Sequence, residues 1–470
     1  MVFSSSIFIF LFFPITCLVY FLLPFRFKNI WLLFASLLFY SWNNPKYTLL
    51  LIFSILINWS SGLIISRQTN DKLRKAMLTI CVLVDLALLG YYKYFNFFVD
   101  NITQISPKLF GNVNVPTIIL PLGISFFTFQ GISYVVDVYR KEIEVQSNLL
   151  NVALYIAMFP QLVAGPIVRY QKIAKSIDDR IITIENIGCG FRRFAYGMAK
   201  KIIVADTFGA MADQIIDFPK QWTFCSVWMA IMAYSLQIYY DFSGYSDMAI
   251  GMAKMFGFDF DENFNYPYIA KSITDFWRRW HISLSTWFRD YVYIPCGGNR
   301  VNVARHIRNI IIVWCLTGIW HGANWTFMCW GLYYGVLLII EKYVIPPKII
   351  SKIPTIIKWI STMVLVMIGW VFFRLNSISI VFEYLRKMCT PDFSRISYTM
   401  VIRNVLSYYW IWIIGFVGIF PKKRLLCILN RYISKVILVA LDNIYTIVIF
   451  VLSIMFCVSS SYNAFIYFNF

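Results

Sequence analysis

From Asn309 to Ile340 the chain runs without a single Asp, Glu, Lys or Arg. Drawn as one straight helix at about 1.5 Å per residue, this segment would be about 50 Å long. The hydrocarbon core of a bilayer is only about 30 Å thick. A segment this long and this apolar must therefore tilt steeply, protrude or break. The natural break is His321-Gly322-Ala323-Asn324, near its middle. It puts an ionisable ring deep in the apolar zone, beside small residues that leave room for a ligand.

The segment is one of roughly ten to twelve apolar stretches, each near the ~20 residues that a spanning helix needs. Of the 470 residues 59% are hydrophobic and 14% charged, where a soluble domain carries about 25% charged residues. Backbone polar groups in lipid must be satisfied internally, which favours helices. The runs are too continuous for the alternating strands of a barrel. The expected fold is an all-α polytopic membrane protein with re-entrant or interfacial helices, forming one membrane domain over residues 1–470. No soluble domain, fixed-period repeat or low-complexity tract interrupts it. The net charge of +19 falls largely in short loops, which is the positive-inside bias of a membrane protein and not the footprint of nucleic-acid binding. Ten cysteines form no CxxC pair and lie mostly in apolar runs. With three histidines and no His/Cys cluster, neither a disulfide framework, a metal site nor a bound cofactor is expected.

Ser5–Leu23 reads as a retained first span, since no Lys or Arg precedes it. Arg26 and Lys28 follow at once, which places that loop in the cytoplasm and the N-terminus outside. Spans are expected at Ile30–Trp42, Tyr47–Ile65, Met77–Phe98 and Thr117–Val138. In the last of these, Ser125, Thr128 and Gln130 suit helix packing. Leu149–Ala164 is interrupted by Phe159-Pro160 and reads as re-entrant or funnel-lining. Gly188–Ala212, with Arg192, Arg193, Lys200 and Lys201, is amphipathic and expected near the inner interface. Trp222–Tyr240 runs into Asp241 and Asp247, where Asp241 is either a functional membrane-embedded acid or the cap of a following helix. Spans are also expected at Trp359–Phe373, Tyr408–Phe420 and Val436–Val458, with the basic loop Pro421–Arg424 inside.

Two stretches carry the candidate chemistry. Taken as one helix, Asp275–Ile294 has Phe276, Trp280, Leu284, Trp287 and Tyr291 on one face and Arg278, His281, Ser285 and Arg289 as a polar stripe. Such a helix suits an interface or the wall of a wet cavity. Its arginines match a phosphate or diphosphate, or else anchor the helix by snorkelling. In the charge-free segment, His321 suits a general base, because a neutral imidazole titrates near working pH. The alternative is a buried histidine hydrogen-bonded to Thr317 or Asn324. His306, between Arg305 and Arg308, reads as a solvated neighbour.

Taken together, the Phe276–Asn299 run FWRRWHISLSTWFRDYVYIPCGGN and the Gly318–Trp325 run GIWHGANW resemble the membrane-bound O-acyltransferase family. The Tyr293–Asn299 ending, Phe159–Pro166 (FPQLVAGP) and Tyr240–Asp247 (YDFSGYSD) resemble its bacterial alginate O-acetyltransferase branch, with Cys296 where an aliphatic residue is expected. The resemblance covers about residues 115–340. It implies a funnel or tunnel through the membrane, with His321 as the catalytic histidine. His281 would be a second active-site histidine that orients a substrate or stabilises the oxyanion. Trp280, Arg278, Arg279, Asp241 and Asn324 are further candidates for binding donor or substrate. It also implies acetyl-CoA as a substrate met at the cytoplasmic face of the bacterial inner membrane. The acceptor side would be served by a secreted SGNH-hydrolase-like acetyltransferase partner and a polysaccharide. D-alanyl transfer to teichoic acid is a close variant, and a transporter of a lipid-linked sugar or acyl donor is the alternative of a different class.

Overall fold

A computed structural model describes residues 1–42, 44–106, 116–163, 165–392, 395–421 and 433–459, without the side chains of 395–397, 400 and 435. Among the described residues there are helices and no strand. Four helices are long and apolar enough to cross a bilayer unaided: Lys46–Arg67, Trp325–Val344, Thr355–Arg374 and Val436–Ser459. A fifth crossing is available to Val401–Ser407 with Tyr409–Gly418, a pair bent by 79°. Exposed Leu49, Phe53, Ile356, Ile360, Val439 and Ile447 on these elements give them a surface suited to lipid. Other apolar stretches form helices that are shorter, interrupted or charged. Asp71–Ile105 buries Asp85 and Lys93, and Phe224–Met255 buries Asp241. The basic loop from residue 422 onward lies outside the described residues.

The chain divides into two compact units, Met1–Phe191 with Ala249–Asp261 and Arg192–Met248 with Glu262–Phe470. In the first, one cluster of polar groups buried among apolar helices is bonded within itself, since an unpaired polar group away from water costs several kcal/mol (about 2–7). Asn58 Nδ2 donates to both Asp85 oxygens at 3.0 and 3.2 Å, and Ser54 Oγ donates to Asp85 at 3.3 Å. Gly131 makes room for this cluster, since a Cβ there would lie 2.6 Å from Asn58 Nδ2. The expected break at Phe159-Pro160 occurs at Met158. The freed N–H of Phe159 donates to Ser36 Oγ at 3.0 Å.

The second unit differs from expectation at Lys201 and Asp241. The helix Phe224–Met255 runs unbroken through Asp241–Asp247, so Asp241 caps nothing. Lys201 does not face outward as the charge of an amphipathic surface helix would. It is buried between Asp206, at 2.6 Å, and Asp241, at 3.0 Å. Its neighbour Lys200 takes a different acid, Asp247, at 2.6 Å, and Arg193 joins Asp247 at 2.8 Å. Close backbone packing permits these pairs. A Cβ on Gly197 would lie 2.5 Å from the Gly244 carbonyl, and one on Gly244 2.7 Å from the Gly197 carbonyl. A π-helical turn, Lys200–Ala205, follows directly.

The long charge-free segment forms a tight helical hairpin, Val303–His321 and Trp325–Ile339. Gly331 has the Trp314 carbonyl 2.3 Å from where a Cβ would stand, and Gly318 the Phe327 carbonyl at 2.5 Å. Gly331→Val is therefore expected to cost about 1–3 kcal/mol through forced separation of the two helices, read as a lower melting temperature in detergent. Lys201→Met strands two buried carboxylates and is expected to cost about 3–5 kcal/mol. Asp241→Asn leaves the Lys201–Asp206 pair intact and should cost clearly less. Equal losses in thermal unfolding of the two variants would contradict this assignment of the pairs.

Candidate active site

The amphipathic stretch is not one helix. It forms Ile273–Arg279 and Ile282–Phe288, then a π-helical turn Arg289–Tyr293. Ser272 caps the first piece by accepting from Asp275 N at 3.1 Å. The break falls at Trp280-His281, where His281 adopts the left-handed conformation with φ 44° and ψ 56°. That conformation costs a residue with a Cβ about 1–2 kcal/mol, so surrounding contacts must hold it. They come from Asn263–Asn265: Ile282 N donates to the Asn263 carbonyl at 3.0 Å, and Asn265 N to the Arg279 carbonyl at 2.9 Å. The break keeps the polar stripe together, because Arg278, His281, Ser285 and Arg289 all line one cavity.

The hairpin supplies the second histidine. Its first helix ends at His321 and its second starts at Trp325, so the break is where segment length requires it. Asn324 accepts from Thr326 N at 3.0 Å as the cap of the second helix, and its Nδ2 donates to the Asn376 carbonyl at 2.9 Å. Gly322 leaves space for the Phe327 ring, which a Cβ would meet at 2.4 Å. Thr317 Oγ1 donates back to the Val313 carbonyl at 2.8 Å.

Both histidines are buried and line the same cavity, of about 330 Å³, with Trp280, Arg278, Arg289 and Thr317. That volume is at the lower end of small-molecule sites, which span about 300–1,000 Å³. His321 packs edge-on against Trp330 at 4.9 Å, Trp320 at 5.0 Å and Phe373 at 5.2 Å between ring centroids. His281 packs edge-on against Phe242 at 4.6 Å and reaches Trp320 at 6.0 Å. Trp320 therefore touches both imidazoles. His281 lies outside the apolar spans, and its burial lowers its pKa, so the ring is neutral. A neutral imidazole on the wall of this cavity can accept a proton or a hydrogen bond from a substrate hydroxyl.

The other candidates separate. Arg278 and Trp280 lie on the cavity wall. Arg279 is turned to Asp275 at 2.8 Å and the Asn265 carbonyl at 3.2 Å. Asp241 belongs to the Lys201 cluster, and only its neighbour Phe242 reaches a histidine. Asn324 is occupied as a helix cap. The reading of His306 as solvated is wrong. It is buried, with Nε2 2.6 Å from Tyr293 Oη and Nδ1 bonded to Tyr343 Oη. The flanking arginines suggested water, and the two tyrosines that enclose it are remote in sequence. Asn263, Trp320 and Phe373 escaped the sequence reading. Only Trp320 had a local signal, its place beside His321. Among the described residues no three His, Cys, Asp or Glu side chains gather as a metal site would require.

Comparison with known proteins bears on this geometry. Residues 140–382 match the family model for MBOAT, the membrane-bound O-acyltransferase family. The chain is 42% identical over 393 residues to the probable alginate O-acetylase AlgI of Pseudomonas aeruginosa, covering 83% of this chain and 75% of that one. It is 36% identical over 422 residues to the peptidoglycan O-acetyltransferase of Helicobacter pylori, covering 83% and 80%. The teichoic acid D-alanyltransferase of Bacillus subtilis is 31% identical over 231 residues, covering 46% and 58%. Both cavity histidines fall inside the matched region, and the chain belongs to the membrane-bound O-acyltransferase family as a multi-pass membrane O-acyltransferase.

Proposed function

We propose that this enzyme takes an acetyl group from acetyl-CoA at the cytoplasmic face of the bacterial inner membrane for O-acetylation of an extracytoplasmic polysaccharide. The observation that carries the reading is the pair of buried histidines on one cavity, in a chain similar along most of its length to two proteins named for O-acetylation. His321 acts as general base. It removes the proton of the attacking hydroxyl as the oxygen bonds to the thioester carbonyl carbon. The C–S bond then breaks, and the thiolate leaves with the proton from the imidazolium. His281 assists by aligning the reacting groups. Burial among Trp320, Trp330 and Phe373 keeps water from competing for the acyl group. Arg278 provides a cation on the cavity wall for the phosphates of the donor, while Arg289 on the same wall is paired with Asp290 at 2.6 Å.

A basic inner face supports this orientation, with the N-terminus outside. A secreted SGNH-hydrolase-like partner completes transfer to the polysaccharide. D-alanyl transfer is the lesser reading, because the similarity to the D-alanyltransferase spans under half of this chain. Family membership sets aside the transporter reading.

The purified protein in lipid vesicles is expected to release labelled acetyl from acetyl-CoA. His321→Ala should lower this by about 10²–10⁴-fold, the usual contribution of a positioned acid–base group, with insertion unchanged. Retained turnover in His321→Ala would remove the base assignment. Turnover only with another acyl donor would change the group moved.

A further inference from the structure

Asn263 holds His281 through its side chain as well as its backbone. Its Oδ1 lies 3.1 Å from His281 Nδ1, 3.2 Å from Ser283 N and 2.9 Å from Ser283 Oγ. Asn263 is 0% exposed and His281 1%. The identity of that amide atom follows from chemistry. A backbone N–H only donates, so the atom facing Ser283 N is the oxygen and not the amide nitrogen. The oxygen brings no hydrogen to the contact with His281. The contact is attractive only when Nδ1 carries the hydrogen. A neutral imidazole has one N–H, so the lone pair resides on Nε2. Nε2 has no partner among the described protein atoms, and His281 lines the cavity shared with His321.

We infer that Asn263 is a positioning residue that locks His281 as the Nδ1–H tautomer and leaves the buried Nε2 lone pair, which meets no partner among the described residues, as the ring's free acceptor. In this tautomer Nε2 accepts hydrogen bonds and cannot donate one. His281 therefore receives a hydroxyl or amide hydrogen of a substrate. With its one N–H held by Asn263, His281 has none to donate to an oxyanion, which narrows the two roles open to it from sequence. Ser283 contributes indirectly, by occupying Asn263 Oδ1 with two donors and fixing which way the amide faces. The kinetic consequence rests on the acyl-transfer reading of the cavity, whereas the tautomer does not.

The chain has three histidines, so the full-length protein labelled with 15N-histidine in lipid nanodiscs gives three ring spin systems. Single His→Gln variants assign them. At neutral pH the His281 ring should show a protonated Nδ1 and an unprotonated Nε2. Asn263→Ala should move signal toward the Nε2–H form. The same variant should lower kcat for acetyl transfer by about tenfold to hundredfold, the range found for partners that orient metal-bound histidines, with little change in KM for acetyl-CoA. Asn263→Asp, which keeps an acceptor, should retain Nδ1–H and more of kcat than the alanine variant. An Nε2–H ring in the wild-type protein would overturn the inference, as would an unaltered tautomer in folded Asn263→Ala. If that variant does not fold, the wild-type spectrum decides. Absence of transfer with every donor would sink the proposed function while the spectrum still reads the tautomer.

Discussion

A helix that stops inside an apolar zone exposes backbone N–H and C=O groups that lipid cannot satisfy, and protein must supply their partners. Three interruptions among the described residues are met in that way. At Met158 the next N–H finds Ser36. At Trp280-His281 the carbonyls and amides pair with Asn263 and Asn265. At Gly322-Ala323 the new helix is capped by Asn324, which is itself tied to Asn376. Two of these interruptions build the cavity wall. The histidines stand at the cavity wall where their helices end, buried among aromatic rings.

The same economy of polar groups organises the rest of the second unit. Lys201 and Asp241 are fully buried, and an isolated charge of either kind would be prohibitive there. Gly197 and Gly244 allow the two helices close enough for the acids and bases to meet. Asp241 then precedes Phe242, whose ring packs against His281. An ion cluster outside the cavity thus sits one residue from an aromatic contact that backs a cavity histidine.

The elements that could be read in sequence are those whose cause is local. Pro160 forces its break through a missing N–H and a steric clash. The length of the charge-free segment asks for a tilt, a protrusion or a break, and Gly322-Ala323-Asn324 marks where the break falls beside His321. The division of Asp275–Ile294 was not legible. Arg278, His281, Ser285 and Arg289 keep helical spacing across it, while the groups that open it, Asn263 and Asn265, lie upstream in an irregular stretch. His306 was misread for the same reason, since Tyr293 and Tyr343 are brought to it only by the fold. Lys200 and Lys201 are adjacent and chemically alike, so periodicity alone does not tell which one faces inward. Of the candidate site, the two histidines, Trp280 and Arg278 meet on one cavity. Arg279, Asp241 and Asn324 were chosen for their chemistry beside the motifs, and packing uses that chemistry elsewhere.

Trp320 is in ring contact with His281 on one side and His321 on the other. In a close-packed interior a planar indole cannot yield to one neighbour without pressing on the other. The side chain that seats one histidine therefore also seats the other, and a substitution that shrinks Trp320 loosens both rings at once.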